Sequence, residues 1–211
     1  MSALRAPARS RCGSIAWAGT GAGREAHPAQ RSAADAQPAP CTHRSATGLT
    51  ECYWHPTLTF VIPSALVSGV YIVKLLASTG AQSDCLFVVR SARPPRLLVQ
   101  IPTATYEAYN AWGGDSLYPG GGRLVGVTGT TQGVEVSYDR PYDGQTGAGQ
   151  FFIREVAMVR FLERYGYPVG YTTSESIDGD PAQARGARAL IDVGHSEYWS
   201  TRDEQAFAAA R

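Results

Sequence analysis

The chain has 211 residues, 44% of them hydrophobic and 18% charged, which is enough apolar material for one or two domains with a real core. A formal net charge of +1 gives no electrostatic case for nucleic acid or an anionic membrane surface, and no apolar run reaches membrane-spanning length. The four cysteines, Cys12, Cys41, Cys52 and Cys85, are scattered and do not read as a disulfide framework.

Residues 1–50 are rich in Ala, Arg, Ser, Pro and Gly, with Glu25 and Asp35 the only acids and Trp17 the only aromatic. Such a composition predicts a disordered or targeting-like extension without regular structure. No secretory h-region is evident, so the expected location is the cytoplasm. Cys41, His43, Cys52 and His55 are of zinc-binding types, but Cys41 and His43 stand closer together than finger pairs do. The plainer reading is buried or disordered thiols without a metal.

From Leu58 the pattern turns to strands. Leu58–Ile62, Val70–Leu76 and Leu86–Val89 are rich in Val, Ile, Leu, Phe and Tyr, with Gly, Pro and Ser between them. They predict part of an antiparallel β-sandwich over residues 51–92. Ser91-Ala-Arg-Pro-Pro-Arg96 then reads as a stiff linker.

A second domain is predicted over residues 97–211. Leu97–Ile101 reads as a buried strand, followed by a long aromatic loop, Thr103–Gly122, that a compact domain keeps only to build a site. Val134–Tyr138 alternates like a short strand, and the glycine-rich turn after it lacks phosphate-loop spacing. Phe151–Tyr165 is the clearest helix, with Phe152, Val156, Val159 and Leu162 on one face and Gly166 at its stop. Tyr167–Thr173 reads as a strand, Asp180-Pro181 opens a short helical stretch, and Leu190–Val193 reads as another strand. Ser200 and Thr201, each with an acid three residues on, start a last helix. This alternation predicts an α/β domain with a parallel sheet. The chain stops at Arg211 inside an Ala-rich stretch, which reads as a truncated domain.

The strand before Gly194 and the helix after Ser200 leave His195 and Glu197 in the turn between them. In open α/β sheets ligands bind beyond the carboxyl ends of the strands, where this turn falls. Taken alone, Glu197 reads as a solvated loop acid and His195 as a hydrogen-bonded turn residue. A metal-free hydrolase with Glu197 and Asp139 as paired carboxylates is a further reading, although nothing in the sequence fixes their separation. Residues 97–211 contain no cysteine, which excludes a Cys–His nucleophile there.

Several pieces in shared order carry a resemblance. They are Gly69-Val-Tyr-Ile-Val-Lys74, Pro102-Thr-Ala-Thr-Tyr-Glu-Ala-Tyr-Asn110 with Trp112-Gly-Gly114, Ser137-Tyr-Asp-Arg-Pro-Tyr142, Phe161-Leu-Glu-Arg-Tyr-Gly166 with Tyr171-Thr-Thr173, and Gly194-His-Ser-Glu-Tyr-Trp-Ser200. Residues 58–211 thereby resemble the C-terminal part of the large (beta) subunit of N,N-dimethylformamidase and its relatives. The resemblance implies a β-sandwich followed by a glutamine-amidotransferase-like parallel-sheet domain, here incomplete. It also implies iron-dependent hydrolysis of the C–N bond of small amides, a small second subunit and homo-oligomerisation. The implied metal is a single ferric iron held by two tyrosines and a glutamate, carried over to Tyr109, Tyr142 and Glu197, with Tyr106 and Tyr138 as neighbouring competitors. His195, Asn110 and Asp139 take supporting or catalytic places, and Arg140 lies beside them. The alternative is a non-catalytic binding or interaction module of the same fold.

Overall fold

The computed structural model describes residues 12–19, 40–56, 61–64, 66–77, 80–119, 131–143 and 147–210. The architecture is mixed α/β, with two small antiparallel sheets and one three-stranded parallel sheet.

The first antiparallel sheet has the order β1-β4-β5, with β1 at Cys12–Gly19, β4 at Gly69–Ala77 and β5 at Gln82–Val89. The strand β1 lies inside the segment expected to lack regular structure, so that expectation is corrected for these residues. Ile15-Ala-Trp-Ala18 is a short apolar run between Gly13 and Gly19, a local signal that the composition of the whole segment hides. Residues 1–11 and 20–39 lie outside the described residues, as does most of the strand expected at Leu58–Ile62.

β2 (Thr42–Arg44) and β3 (Leu49–Glu51) form a hairpin that also falls partly inside that segment. Its register pairs Thr42 with Glu51, so the next position outward faces Cys41 with Cys52, and these two sulfurs are bonded. The scattered-thiol and zinc readings are therefore both corrected. His43 instead meets Thr50 Oγ1 at 3.0 Å and Asp115 at 3.5 Å. Cys85 remains a free thiol, pushed up to about 12 by burial, and that makes it inert as a nucleophile.

The parallel sheet has the order β7-β6-β8, with β6 at Leu97–Ile101, β7 at Val169–Thr173 and β8 at Ala189–Asp192. Alternation along the central strand sends Val99 and Ile101 to one face and Leu98 to the other. The first face packs on Phe151, Val159 and Leu162 and on Val70 of β4. The second packs on Ile177, Ala184 and Ala206, which belong to α4 (Ser174–Gly179), a 3-10 turn at Pro181–Ala184 and α5 (Thr201–Ala209). Ser200 caps α5 through a reciprocal pair with Asp203. Connections leave β6 toward β7 on one side and return to β8 on the other, so a switch point lies beyond the ends of β6 and β8.

Three expectations about local structure change. The aromatic loop begins as a helix, α1 (Thr103–Tyr109), because Thr105, Tyr106 and Ala108 are buried and tertiary packing outweighs modest propensity. Val134–Tyr138 is not a strand: the N–H of Val134 goes to Thr47 O of the hairpin turn, and its side chain is exposed. The expected helix Phe151–Tyr165 is present as α2 (Phe151–Arg154) and α3 (Val156–Arg164), with a distorted turn at Glu155. The buried positions are Phe151, Glu155, Val159 and Leu162, so Phe151 rather than Phe152 faces the core.

The irregular segment after α1 is fixed by one guanidinium. Buried Arg140 donates to the carbonyls of Asn110, Trp112 and Asp115 at 2.8, 3.0 and 3.1 Å, and its Nε lies 3.6 Å from Glu107. Arg140→Met would orphan these acceptors and the buried carboxylate, and a loss of about 3–5 kcal/mol in urea unfolding is expected. A loss under about 1 kcal/mol would show that the guanidinium does not organise this segment.

Glu155 is fully buried, accepts from the Tyr106 hydroxyl, and is raised by burial from 4.5 to about 8. A raised carboxylate keeps in the folded state a proton that the unfolded chain releases above about 4.5. Its contribution therefore falls as pH rises from about 4.5 and is gone above about 8. In urea unfolding, Glu155→Gln should match the wild type near pH 5 and gain on it steadily toward pH 8. A constant difference across that window would refute the assignment.

Candidate functional site

Beyond β8 the chain turns at Gly194, which adopts φ +75°, and a Cβ there would collide with the carboxylate of Glu155. The carboxylate of Glu155 therefore packs directly against this turn. Two residues on, the N–H groups of Glu197 and Tyr198 both donate to Thr105 Oγ1 of α1, at 3.0 Å each. The turn is thus held from below, and Glu197 projects outward.

Its carboxylate collects three partners from three parts of the chain. The Tyr109 hydroxyl donates to Oε2 at 2.6 Å, the Tyr118 hydroxyl donates to Oε1 at 2.6 Å, and His195 Nε2 lies 3.0 Å from Oε2. The rings of Tyr109 and Tyr118 stack with centroids 4.2 Å apart, and the His195 ring tilts against Tyr109 at 4.9 Å. The Tyr198 hydroxyl donates to that of Tyr118 at 3.1 Å. The bond from Tyr109, then that from Tyr118, holds the Glu197 carboxyl below its usual range. Tyr118 is pushed up because its neutral hydroxyl serves that carboxylate, and Tyr109 is pushed up by desolvation and then by the same bond.

Of the residues expected from sequence, Tyr109, His195 and Glu197 come together here. Tyr142 goes elsewhere: its ring meets Tyr106 edge-on at 5.9 Å, its hydroxyl pairs with Glu107, and burial pushes it well up. Tyr106 serves Glu155, and Tyr138 pairs with Thr103. Asn110 is buried with both amide hydrogens given to Glu107 and Pro141 O and its oxygen accepting from Trp112 and Asp143 N–H. All its hydrogen-bonding capacity is used internally, so it shapes the loop rather than facing a substrate. Asp139 accepts the N–H of Tyr53 at 2.8 Å and is tied to the end of the hairpin.

Sequence reasoning passed over Tyr118, Tyr198 and Thr105. Tyr118 lies in the aromatic loop already noted, nine positions after Tyr109, and only the fold sets their rings face to face.

Among the described residues no group of three or more His, Cys, Asp or Glu could hold a metal ion. The set around Glu197 is of another kind, two phenols and a carboxylate. Three hard oxygen donors within hydrogen-bonding distance, on a carboxylate that is still partly open to solvent, fit a hard cation such as ferric iron. To serve as anionic ligands, Tyr109 and Tyr118 would each release the hydroxyl proton they now give to Glu197.

No curated protein matches the chain. The family pattern described as N,N-dimethylformamidase beta subunit-like, C-terminal, matches residues 10–211, which include β1 and every residue of the site. The chain belongs to the N,N-dimethylformamidase beta subunit-like family, of which it carries the C-terminal region.

Proposed function

We propose that the chain serves hydrolysis of small amides, with Tyr109, Tyr118 and Glu197 as the residues that hold a ferric ion. Family membership supports amidase-type hydrolase chemistry at a coarse level. The observation that carries the finer reading is the convergence of the two hydroxyls on the two oxygens of Glu197, at the switch point of the parallel sheet. This replaces Tyr142 by Tyr118 in the ligand set that the resemblance implied. The glutamine-amidotransferase-like arrangement, the β-sandwich and the small second subunit remain parts of this proposal, the last because the family name is that of a beta subunit. A bonded Cys41–Cys52 pair suits an oxidising compartment and tells against a cytoplasmic location.

Bound there, ferric iron would supply Lewis acidity toward an amide carbonyl and toward water. The chain's own residues do the rest. Hydrolysis moves a proton from water to the departing amine nitrogen. His195 is the titratable side chain beside Glu197, with Nε2 on that carboxylate and Nδ1 buried, so it orients Glu197 and shares a proton with it. Tyr198 donates to the Tyr118 oxygen and so steadies charge on it.

Ferric titration of the purified chain, followed by phenolate-to-iron absorption, tests the ligand set. Wild type should bind one equivalent, and Glu197→Gln should bind none. Tyr109→Phe and Tyr118→Phe should weaken binding by more than the ~10–100-fold typical of outer-shell changes. Tyr142→Phe should leave binding unchanged, and its loss of metal would restore Tyr142 to the set. Turnover of dimethylformamide or formamide by the loaded chain should vanish with Glu197→Gln. Absence of both iron and turnover in the wild type would favour the non-catalytic module.

A further inference from the structure

The Glu197 carboxylate is touched by three side chains, but its backbone is held by a fourth residue outside that set. Thr105 is fully buried in α1, and its Oγ1 accepts the N–H groups of both Glu197 and Tyr198 at 3.0 Å. A hydroxyl oxygen has two lone pairs, and both are used here. Thr105 and Tyr109 are four residues apart on one helix, so they share a face. One residue of that face therefore fixes the backbone of Glu197, and the next one along touches its carboxylate. The same hydroxyl anchors Tyr198, whose phenol reaches Tyr118. Because these two N–H groups are already bonded, they are not free to stabilise a developing oxyanion. Thr105 has no exposed surface and so does not act as a nucleophile.

We infer that Thr105 is the positioning residue of the site, setting Glu197 and Tyr198 against Tyr109 and Tyr118 through two backbone hydrogen bonds. The inference rests on the ferric-site reading above for its consequence and on geometry alone for its mechanism, so the test has two arms.

In the first arm the full chain is titrated with ferric iron. Thr105→Val, which keeps the shape and loses the acceptor, should weaken binding about ten- to a hundredfold. Thr105→Ser, which keeps the acceptor, should bind like the wild type. Equal affinity in wild type and Thr105→Val overturns the inference. A wild type that takes up no iron overturns the metal reading and leaves the second arm to decide on Thr105. That arm is amide hydrogen exchange at Glu197 and Tyr198, which lie outside any helix or strand. Both amides should be protected in the wild type and in Thr105→Ser and should exchange freely in Thr105→Val. If Thr105→Val does not fold, protection in the other two proteins supports the inference. Exchange at free-loop rates in the wild type overturns it.

Discussion

The geometry of the site depends on keeping one carboxylate at the surface while everything beneath it is pinned. Glu197 lies on a turn without regular hydrogen bonding, yet the turn has no freedom to drift. Thr105 holds it from α1, Glu155 packs against it from the α2–α3 junction, and Gly194 allows that close approach. These supports cost the fold something. Glu155 is a carboxyl in an apolar cluster, with one oxygen lacking a hydrogen-bond partner among the described residues. Burial keeps it protonated into the neutral range, because desolvation outweighs the hydrogen bond from Tyr106 and the charge of Arg154.

A second polar centre lies below the first and has a different task. Glu107, Asn110, Arg140 and Asp143 are all buried and bond mainly to one another and to backbone. Their collective effect is to fold the segment from Asn110 to Asp115 into one shape, and Tyr118 follows three residues later. The hairpin closed by Cys41 and Cys52 reinforces the same segment. The N–H of Cys52 goes to Asp139 O, and the side chain of His43 reaches Asp115. Tyr118 is therefore delivered to Glu197 by an irregular segment that a guanidinium and a stapled hairpin make rigid, whereas Tyr109 is delivered by a helix.

The parallel sheet was legible because β6, β7 and β8 are continuous apolar or β-branched runs separated by turn residues, and the capping pair Ser200–Asp203 is a local signal. Glu197 and His195 were legible because they fall directly after such a strand. What could not be read depends on distant partners. The face-to-face contact of Cys41 and Cys52 exists only once the hairpin register is known, and the burial of Glu155 only once α3 lies on the sheet. The strand expected at Val134–Tyr138 has the right alternation, but its first two N–H groups go to Thr47 O of the hairpin turn instead of to a strand.

Motif order alone does not separate Tyr118 from Tyr142 as a partner of Glu197. Both are tyrosines in irregular segments next to residues of the expected pattern, and both carry hydroxyls paired with a glutamate. Their surroundings separate them. Tyr142 lies by Glu107, which Arg140 and Asn110 already serve, and packs half-buried against the core cluster beside Tyr106. Tyr118 faces Glu197, whose remaining surface meets solvent and whose bonding is otherwise to Tyr109 and His195. A ligand set must leave an approach for a substrate as well as enough donors for a cation. Under the proposed reading the centre around Glu197 is the one that offers both, because the centre around Glu107 has spent its donors on holding the chain.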